Sequence, residues 1–391
     1  MVDTHLHQNS VQDVLDYDRE KELKDFDDTK AGVKGLVDNG IVKIPQMFVI
    51  PTNELSSETS YSGSTHLHIP VIDLKDIHEG GIVNHGISED VMDEMMKGIH
   101  RFHEQPTEVK REYYLRDATK NVTYMSNFHL FKAKAANWRD SLSFSMAPVA
   151  PILRSFHQPA VKTNKKDDIH YKRIKLKLRK TNKILGEWGN NESSSIEQSP
   201  LMDIIISYSE HVKMLRLTLL ELLSEALGLK PNHLIEMGCA AGHNFVCNCY
   251  PACPEPNRTM GASKRSDPDF FTILLQGQIG GLQLLYENQW ADIPPVIGAL
   301  VVNLGDLFQL ISNDKSKSTI HRVLANQVGL RISVACFFST HLQPVNQLYG
   351  PIKELLSDDN PPLYRETLVG EYAFSYALKG LGNAALALFR L

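Results

Sequence analysis

The stretch from Asn248 to Thr340 constrains the fold most, because short apolar runs alternate there with glycine, proline and polar turn residues. Many short strands separated by turn signals predict a sandwich or jelly roll. The strand-like runs are Ile273–Leu275, Leu282–Leu285, Leu300–Asn303 and Ile332–Phe338. Asp267 and His321 stand more than fifty residues apart, each beside such a run. A separation of this kind is typical of a site assembled across a barrel from different strands.

Helices are predicted around this core. Apolar residues recur at helical spacing from Leu201 to Leu229, and Gly228 fits a helix stop. The same spacing predicts an amphipathic helix over Val91–Tyr114. Pro361–Phe374 and the last dozen residues are expected to form a helix and tail on the outside of the core. Short strands are predicted at Ser126–Phe128, at Leu142–Ser145 and at Ile69–Leu74. The pattern is therefore that of a mixed α/β chain with a β core.

The residues Asp267 and His321 match part of a metal-ligand pattern. A ferrous oxygenase needs two histidines and one carboxylate on one face, with positions left free for cosubstrate and dioxygen. A His-x-Asp pair on one strand supplies two of these ligands, since alternate side chains share a face. Here Asp267 is the carboxylate and His321 the distant histidine, but Arg265 stands where the first histidine is expected.

Long ordered segments carry a resemblance to a known family. They are Lys30–Asp38, Ala136–Asp140, Gln283–Trp290, Pro294–Asp314, His321–Asn326 and Arg331–Thr340. The chain resembles the plant 2-oxoglutarate/Fe(II)-dependent dioxygenases, most closely the 1-aminocyclopropane-1-carboxylate oxidase homologues. The resemblance implies a double-stranded β-helix (jelly-roll) core with flanking helices. It also implies an oxidoreductase that oxidises a small specialised metabolite with Fe(II), 2-oxoglutarate and dioxygen, with ascorbate as a further candidate cofactor.

A second set of residues fits the cosubstrate. Arg331 and Ser333 alternate on one strand face, and a guanidinium pairs two-pronged with a carboxylate. The resemblance implies that they hold the distal carboxylate of 2-oxoglutarate, and that Tyr250 and Asn248 match the family's Asn-x-Tyr pair beside it. Phe337 shares their strand face and is interpreted as a core residue.

Arg265 leaves two hypotheses open. A guanidinium offers no lone pair to a metal, and it places a cation beside Asp267. In one hypothesis Arg265 turns to solvent, another group or water completes the site, and the enzyme is active; His243 is the nearest candidate in sequence. In the other, the chain is a catalytically impaired pseudoenzyme because Arg265 replaces the first metal-ligand histidine.

Composition bounds the cellular setting. The net charge of −5 argues against a dedicated nucleic-acid binder. Five cysteines, an odd number in a chain of 391 residues, predict reduced thiols. Cys247, Cys249 and Cys253 lack the matching second cluster of a metal site. No apolar run is long enough to span a membrane, so we expect a cytoplasmic monomer with no nucleic-acid or membrane partner.

Five regions are predicted along the chain. They are an N-terminal extension and linker (1–65), the N-terminal part of the dioxygenase-like fold (66–154), a basic polar insertion (155–200), a helix plus the jelly-roll core (201–345), and a C-terminal helix and tail (346–391). Only Lys75–Ile82 separates two core segments that the family joins through a helix and a strand. Since a mean helix alone takes about eleven residues, we infer that one helix–strand unit is missing, which would expose a sheet edge.

The insertion has an unusual charge. Ten lysines or arginines and two acidic residues lie in Lys162–Lys183, followed by the polar tract Gly189–Ser199. A nucleic-acid patch or nuclear address is one interpretation. No aromatic platform accompanies the charge, which favours a solvated insertion.

Deleting Lys162–Ser199 should therefore leave the melting temperature unchanged or raise it, because this segment has too few apolar residues to offset the entropy of ordering. Thermal denaturation of the full chain and the deletion variant measures this. A large drop in melting temperature on deletion would show that the segment belongs to the core.

Overall fold

The computed structural model describes residues 17–51, 72–74, 82–83, 85–117, 120–146, 200–340, 346–379 and 385–391. The strands in chain order are β1 Ile72–Asp73, β2 Ile82–Val83, β3 Val122–Ser126, β4 Asp140–Ser145, β5 Gly242–Tyr250, β6 Met260–Arg265, β7 Phe271–Gln276, β8 Leu282–Tyr286, β9 Gln289–Asp292, β10 Val301–Leu304, β11 His321–Leu324, β12 Arg331–Ser339, β13 Leu348–Tyr349 and β14 Thr367–Leu368. The α-helices are α1 Arg19–Thr29, α2 Gly32–Asp38, α3 Glu89–His103, α4 Thr107–Arg111, α5 Pro200–Ala226, α6 His233–Glu236, α7 Asp306–Ile311 and α8 Val369–Lys379.

Two antiparallel sheets form the core. The larger has the strand order β10-β7-β12-β5-β4-β3, and the smaller has the order β6-β11-β8-β9. Several neighbours, such as β12 with β5 and β11 with β6, come from distant parts of the chain, as in a jelly roll. The arrangement agrees with the mixed helix-and-sheet fold predicted from the sequence.

Strand β12 separates the hydrophobic core from the interior between the sheets. It pairs along its full length with β5, from Arg331 opposite Tyr250 to Ser339 opposite Gly242, and with β7 on its other side. One face carries Ile332, Val334, Cys336 and Phe338, which belong to the main hydrophobic cluster. The other face carries Arg331, Ser333, Ala335 and Phe337, which line a cavity. Because side chains alternate along a strand, β12 can present polar residues to the cavity and apolar residues to the hydrophobic core.

Helix α3 lies against the apolar face of β12, and helix α5 packs beside α3 in the same layer. The buried stripe of α5, Ile205, Tyr208, Val212, Leu215 and Leu219, lies in the same cluster as the β12 residues. Helix α5 ends at Ala226, and Gly228 follows with a φ of +76°. This is the left-handed conformation that glycine adopts after a helix, so the predicted stop at Gly228 is confirmed.

Three predicted elements are shifted. The helix predicted over Val91–Tyr114 breaks after His103, because Pro106 cannot continue its hydrogen bonds and instead precedes α4. The strand predicted at Ser126–Phe128 ends at Ser126, since Asn127 has a φ of +54° and starts a turn. The C-terminal helix is Val369–Lys379 rather than Pro361–Phe374, because β14 first pairs with β13.

The remaining predictions concern the missing unit, the basic insertion, the cysteines and membrane-spanning helices. Strands β1 and β2 pair in parallel with each other, and among the described residues neither joins the two main sheets; the missing helix–strand unit stays a prediction. The basic insertion Lys162–Lys183 lies outside the described residues. All five cysteines are free and buried. Within the described ranges, no helix has the length and apolarity needed to cross a membrane.

A buried carboxylate fastens the N-terminal helices to the sheet. Asp140, at the start of β4, accepts hydrogen bonds of 2.8 Å from the backbone N–H groups of Val33 and Lys34. Gly32 begins α2 with a φ of +69°, and a Cβ there would lie 2.5 Å from Asp140 Oδ1. The close approach therefore requires glycine at this position. Asp140 is fully buried, so its loss leaves two buried donors unpaired.

We expect Asp140→Ala to reduce the free energy of unfolding by about 2–5 kcal/mol, since each unpaired buried donor costs about 1–3 kcal/mol. Asp38→Ala is the matched control, because Asp38 is half exposed and the Lys34 ammonium that it pairs with keeps Glu104 as a second partner at 3.3 Å, so we expect a loss of about 1 kcal/mol or less. Urea denaturation of the two variants measures the difference. Equal losses in both would show that Asp140 does not anchor α2.

Candidate active site

A cavity lies between the two sheets, and all seven residues selected from the sequence line it. They are Asn248, Tyr250, Arg265, Asp267, His321, Arg331 and Ser333. The free volume is about 40 Å³, which holds little more than water. Phe337 also lines this cavity, so its interpretation as a core residue was wrong: it shares the inward face of β12 with Arg331 and Ser333.

Asp267 and His321 lie next to each other. His321 Nε2 is 3.5 Å from Asp267 Oδ1, and the other carboxylate oxygen, Oδ2, accepts hydrogen bonds from Thr272 Oγ1 at 2.8 Å and Asn303 Nδ2 at 2.9 Å. His321 Nδ1 lies 3.1 Å from the Thr319 carbonyl oxygen. The carboxylate is thus held by neutral donors on β7 and β10.

The electrostatics favour a charged carboxylate beside a neutral imidazole. Burial opposes ionisation of Asp267, but His321, Arg265 and the two hydrogen-bond donors hold its pKa below the ordinary value. Burial lowers the pKa of His321, with Arg265 adding to this and Asp267 opposing it. Both groups therefore have the protonation state in which they can donate lone pairs.

Thr272 and Asn303 were missed by the sequence analysis, since each lies in a run that was interpreted only as an apolar strand. Alternation along β7 and β10 was the available signal, because it turns every second residue of each strand toward the cavity.

Arg265 lies beside Asp267 and His321, at the position where the sequence pattern expects the first histidine ligand. It ends β6, directly opposite His321 on β11. Its Nε lies 4.0 Å from Asp267 Oδ1, and its side chain is 14% exposed. This guanidinium has no lone pair to give a metal.

The donor set does not fit a ferrous centre with two histidines and one carboxylate. Across the part of the chain that the structure describes, no group of three or more His, Cys, Asp or Glu side chains could hold a metal ion. His243 does not complete the set: its Nε2 lies 2.8 Å from Ser209 Oγ, and its ring stacks on Phe338. His243 therefore belongs to the core side of the sheet.

Arg331 is a buried cation with several partners. It is 1% exposed and donates hydrogen bonds to Ser333 Oγ at 3.3 Å and to Gln276 Oε1 at 3.1 Å. Its guanidinium carbon lies 4.9 Å from the centre of the Tyr250 ring. The strand register explains these contacts, because β12 pairs Arg331 with Tyr250 and Ser333 with Asn248 and Gln276. Gln276 was missed because its role depends on this register.

Tyr250 lies among three arginines. Burial raises the pKa of its hydroxyl, but Arg139, Arg331 and Arg265 outweigh burial and hold the pKa below its ordinary value. Arg139 hydrogen-bonds this hydroxyl. It lies in the segment Ala136–Asp140 but was not selected as a site residue. Asn248, by contrast, is held by the neighbouring strand: its Oδ1 accepts a hydrogen bond of 2.9 Å from Ser141 Oγ.

Comparisons with known proteins identify the family. Residues 241–340 match the 2OG-Fe(II) oxygenase superfamily, and residues 81–164 match the N-terminal domain described as "non-haem dioxygenase in morphine synthesis". Deacetoxyvindoline 4-hydroxylase of Catharanthus roseus is 43% identical over 95% of this chain and 89% of its own length. The 1-aminocyclopropane-1-carboxylate oxidase homolog 1 of Arabidopsis thaliana is 43% identical over 98% of this chain and 99% of its own length.

Solved structures support the fold. The crystal structure of JOX2 in complex with 2OG, Fe and JA superposes with a TM-score of 0.70 at 24% identity, over 92% of this chain and 97% of the other. A rice dioxygenase for auxin oxidation superposes with a TM-score of 0.56 at 18% identity, over 78% and 88%. The predicted family and jelly-roll fold are confirmed. The identity of 43% over nearly the whole chain shows that this protein belongs to the 2OG-Fe(II) oxygenase superfamily, alongside the plant 1-aminocyclopropane-1-carboxylate oxidase homologues.

Proposed function

We propose that this protein is a member of the superfamily that keeps the site for 2-oxoglutarate but has lost tight iron binding, and is therefore catalytically impaired. The observation that carries the proposal is Arg265, whose Nε lies 4.0 Å from Asp267 Oδ1 and whose backbone pairs with His321. The superfamily implies Fe(II) and 2-oxoglutarate. The residues present support the binding of 2-oxoglutarate but not the binding of Fe(II).

The cosubstrate half of the site supports 2-oxoglutarate. Arg331 is a fully buried cation, and a buried charge is costly unless it is paired. In the described part of the chain its Nε has no hydrogen-bond partner, while Ser333 and Tyr250 lie beside the guanidinium. A carboxylate can accept two parallel hydrogen bonds from such a group. The distal carboxylate of 2-oxoglutarate satisfies these requirements.

The metal half does not support iron. Asp267 and His321 provide two donors, whereas the ferrous site of this class uses three. Arg265 also repels a divalent cation held by Asp267: two unit charges 4 Å apart interact by about 4 kcal/mol at an effective dielectric constant near 20. The loss of a ligand and the gain of a cation therefore act in the same direction.

A second candidate is an active oxygenase of a small specialised metabolite. The partial exposure of the Arg265 side chain, 14%, favours it, because a long side chain that reaches solvent can leave the site. The relatives include a protein named deacetoxyvindoline 4-hydroxylase. In both cases our proposal includes a cytoplasmic monomer without a nucleic-acid or membrane partner.

The two candidates differ in iron affinity. We expect Arg265→His to bind Fe(II) at least about 10- to 100-fold more tightly than the wild type, because it removes a fixed cation and adds a neutral nitrogen donor as the third ligand. Anaerobic titration of Fe(II) with 2-oxoglutarate present, followed by the metal-to-ligand charge-transfer band, measures this. Lys264→His is the control, since the exposed Lys264 points to the other face of β6.

Three outcomes of the iron titration can be distinguished. Wild-type affinity equal to that of Arg265→His would support the active oxygenase and contradict our proposal. If neither protein binds iron although both are folded, the defect lies elsewhere, with the missing unit after Lys75 as the first place to look. Gain of binding only in Arg265→His places the defect on Arg265.

The cosubstrate half has its own test. We expect Arg331→Lys to weaken 2-oxoglutarate binding about tenfold or more, because a lysine cannot make the two-pronged contact. Arg322→Lys is the matched control: Arg322 is equally buried, bonds Gln283 Oε1 at 2.8 Å and lies 3.9 Å from the Trp290 ring centre. Ligand-induced shifts in melting temperature measure affinity in both. Equal weakening would contradict a specific role for Arg331.

A further inference from the structure

We infer that Arg265 replaces the metal ion as the second anchor of the ligand, so that Arg265 and Arg331 together form a two-cation site that binds a dicarboxylate without metal. The inference rests on the proposed function, in which Arg331 holds one carboxylate. The inference adds that Arg265 binds the ligand at the opposite end of the cavity, and that the complete site selects dicarboxylates.

The charges on the cavity wall favour a dianion. Among its described lining residues, two guanidinium groups, Arg265 and Arg331, face one ionised carboxylate, Asp267. A third guanidinium, Arg139, hydrogen-bonds the Tyr250 hydroxyl at the same wall. Arginine stays protonated in proteins, so this excess of positive charge persists at every ordinary pH. Uncompensated buried cations are unfavourable, and an anionic ligand removes that cost.

The hydrogen-bond inventory shows which cation is available. Asp267 Oδ2 is already occupied by Thr272 and Asn303, and Oδ1 faces His321. The Arg265 contact with Oδ1, at 4.0 Å, is too long for a hydrogen bond. Arg265 is therefore attracted to Asp267 but not bound tightly by it. Its N–H groups can turn to a ligand carboxylate at little loss, and the buried Nε of Arg331 has no partner among the described residues.

The two cations come from opposite walls. Arg331 begins β12 in the larger sheet, and Arg265 ends β6 in the smaller sheet. A ligand with a carboxylate at each end can bridge the sheets, with one end on each guanidinium. A monocarboxylate satisfies only one of them.

The small free volume adds a requirement. About 40 Å³ is open, far less than the roughly 300 Å³ or more of ligand pockets. A side chain must therefore move when a dicarboxylate enters. Arg265 fits this role, because it is loosely held and partly exposed, whereas Arg331 is fixed by two hydrogen bonds.

This mode of binding has a distinctive specificity. Arg265 can bind a carboxylate through its guanidinium, but it offers the 2-oxo group of the ligand no comparable contact. We therefore expect 2-oxoglutarate and glutarate to bind with affinities within about threefold of each other when metal is removed. 2-Oxobutyrate, which lacks the second carboxylate, should bind about tenfold or more weakly, since a charge-assisted contact is lost.

Calorimetric titration of the full-length chain in a buffer with excess chelator tests the inference. The probes are 2-oxoglutarate, glutarate and 2-oxobutyrate. Arg265→Gln should bind both dicarboxylates about tenfold or more weakly than the wild type, and Lys264→Gln, which removes the same charge on the outer face of β6, should bind them unchanged. Arg265→His should lose metal-free binding and bind 2-oxoglutarate only with Fe(II) added.

Several results would overturn the inference. The first is that the wild-type protein binds neither dicarboxylate in the presence of chelator. The second is that Arg265→Gln binds both as tightly as the wild type does. The third is that glutarate binds much more weakly than 2-oxoglutarate. If Arg331→Lys weakens binding while Arg265→Gln does not, the inference fails but the proposed function stands. If the wild type instead binds Fe(II) as tightly as Arg265→His, the proposed function fails as well.

Discussion

The alternation of side chains along β12 is the constraint on which the core and the site both depend. The face that carries Ile332 and Val334 belongs to the main hydrophobic cluster, where helix α3 lies against β12, and the opposite face presents Arg331 and Ser333 to the cavity. A slip of one residue in the pairing with β5 would exchange the two faces. It would drive a guanidinium into the hydrophobic core, so the buried charge itself helps to specify the register.

Much of this architecture could be predicted from the sequence, because it follows from periodicity. The long helix and its stop at Gly228 are local features, and the positions of Asp267 and His321 follow from the motif spacing. Gln276 and Arg139 could not be found in this way. Their roles depend on which strands become neighbours, a property of register that no single strand encodes. Pro106 was a signal that the helix ends before it. The helical spacing of the apolar residues continues on both sides of Pro106, so a single helix was predicted instead.

The position of Arg265 separates the charge of the cavity from the stability of the fold. The residue lies at the end of β6, faces the cavity and is outside the hydrophobic clusters of the described chain. A change there alters the charge of the cavity wall and leaves the apolar contacts that stabilise the sheets untouched. Ligand selection and folding stability are thus borne by different residues in this part of the molecule.

The hydrogen bonds from Thr272 and Asn303 to Asp267 have a consequence for the history of the site. Both donors are neutral and belong to strands that the core holds in place, so the orientation of the carboxylate does not depend on what lies in front of it. A site preorganised in this way stays assembled when its occupant changes. If the proposed function holds, one side chain then controls metal affinity, with no accompanying rearrangement of the backbone.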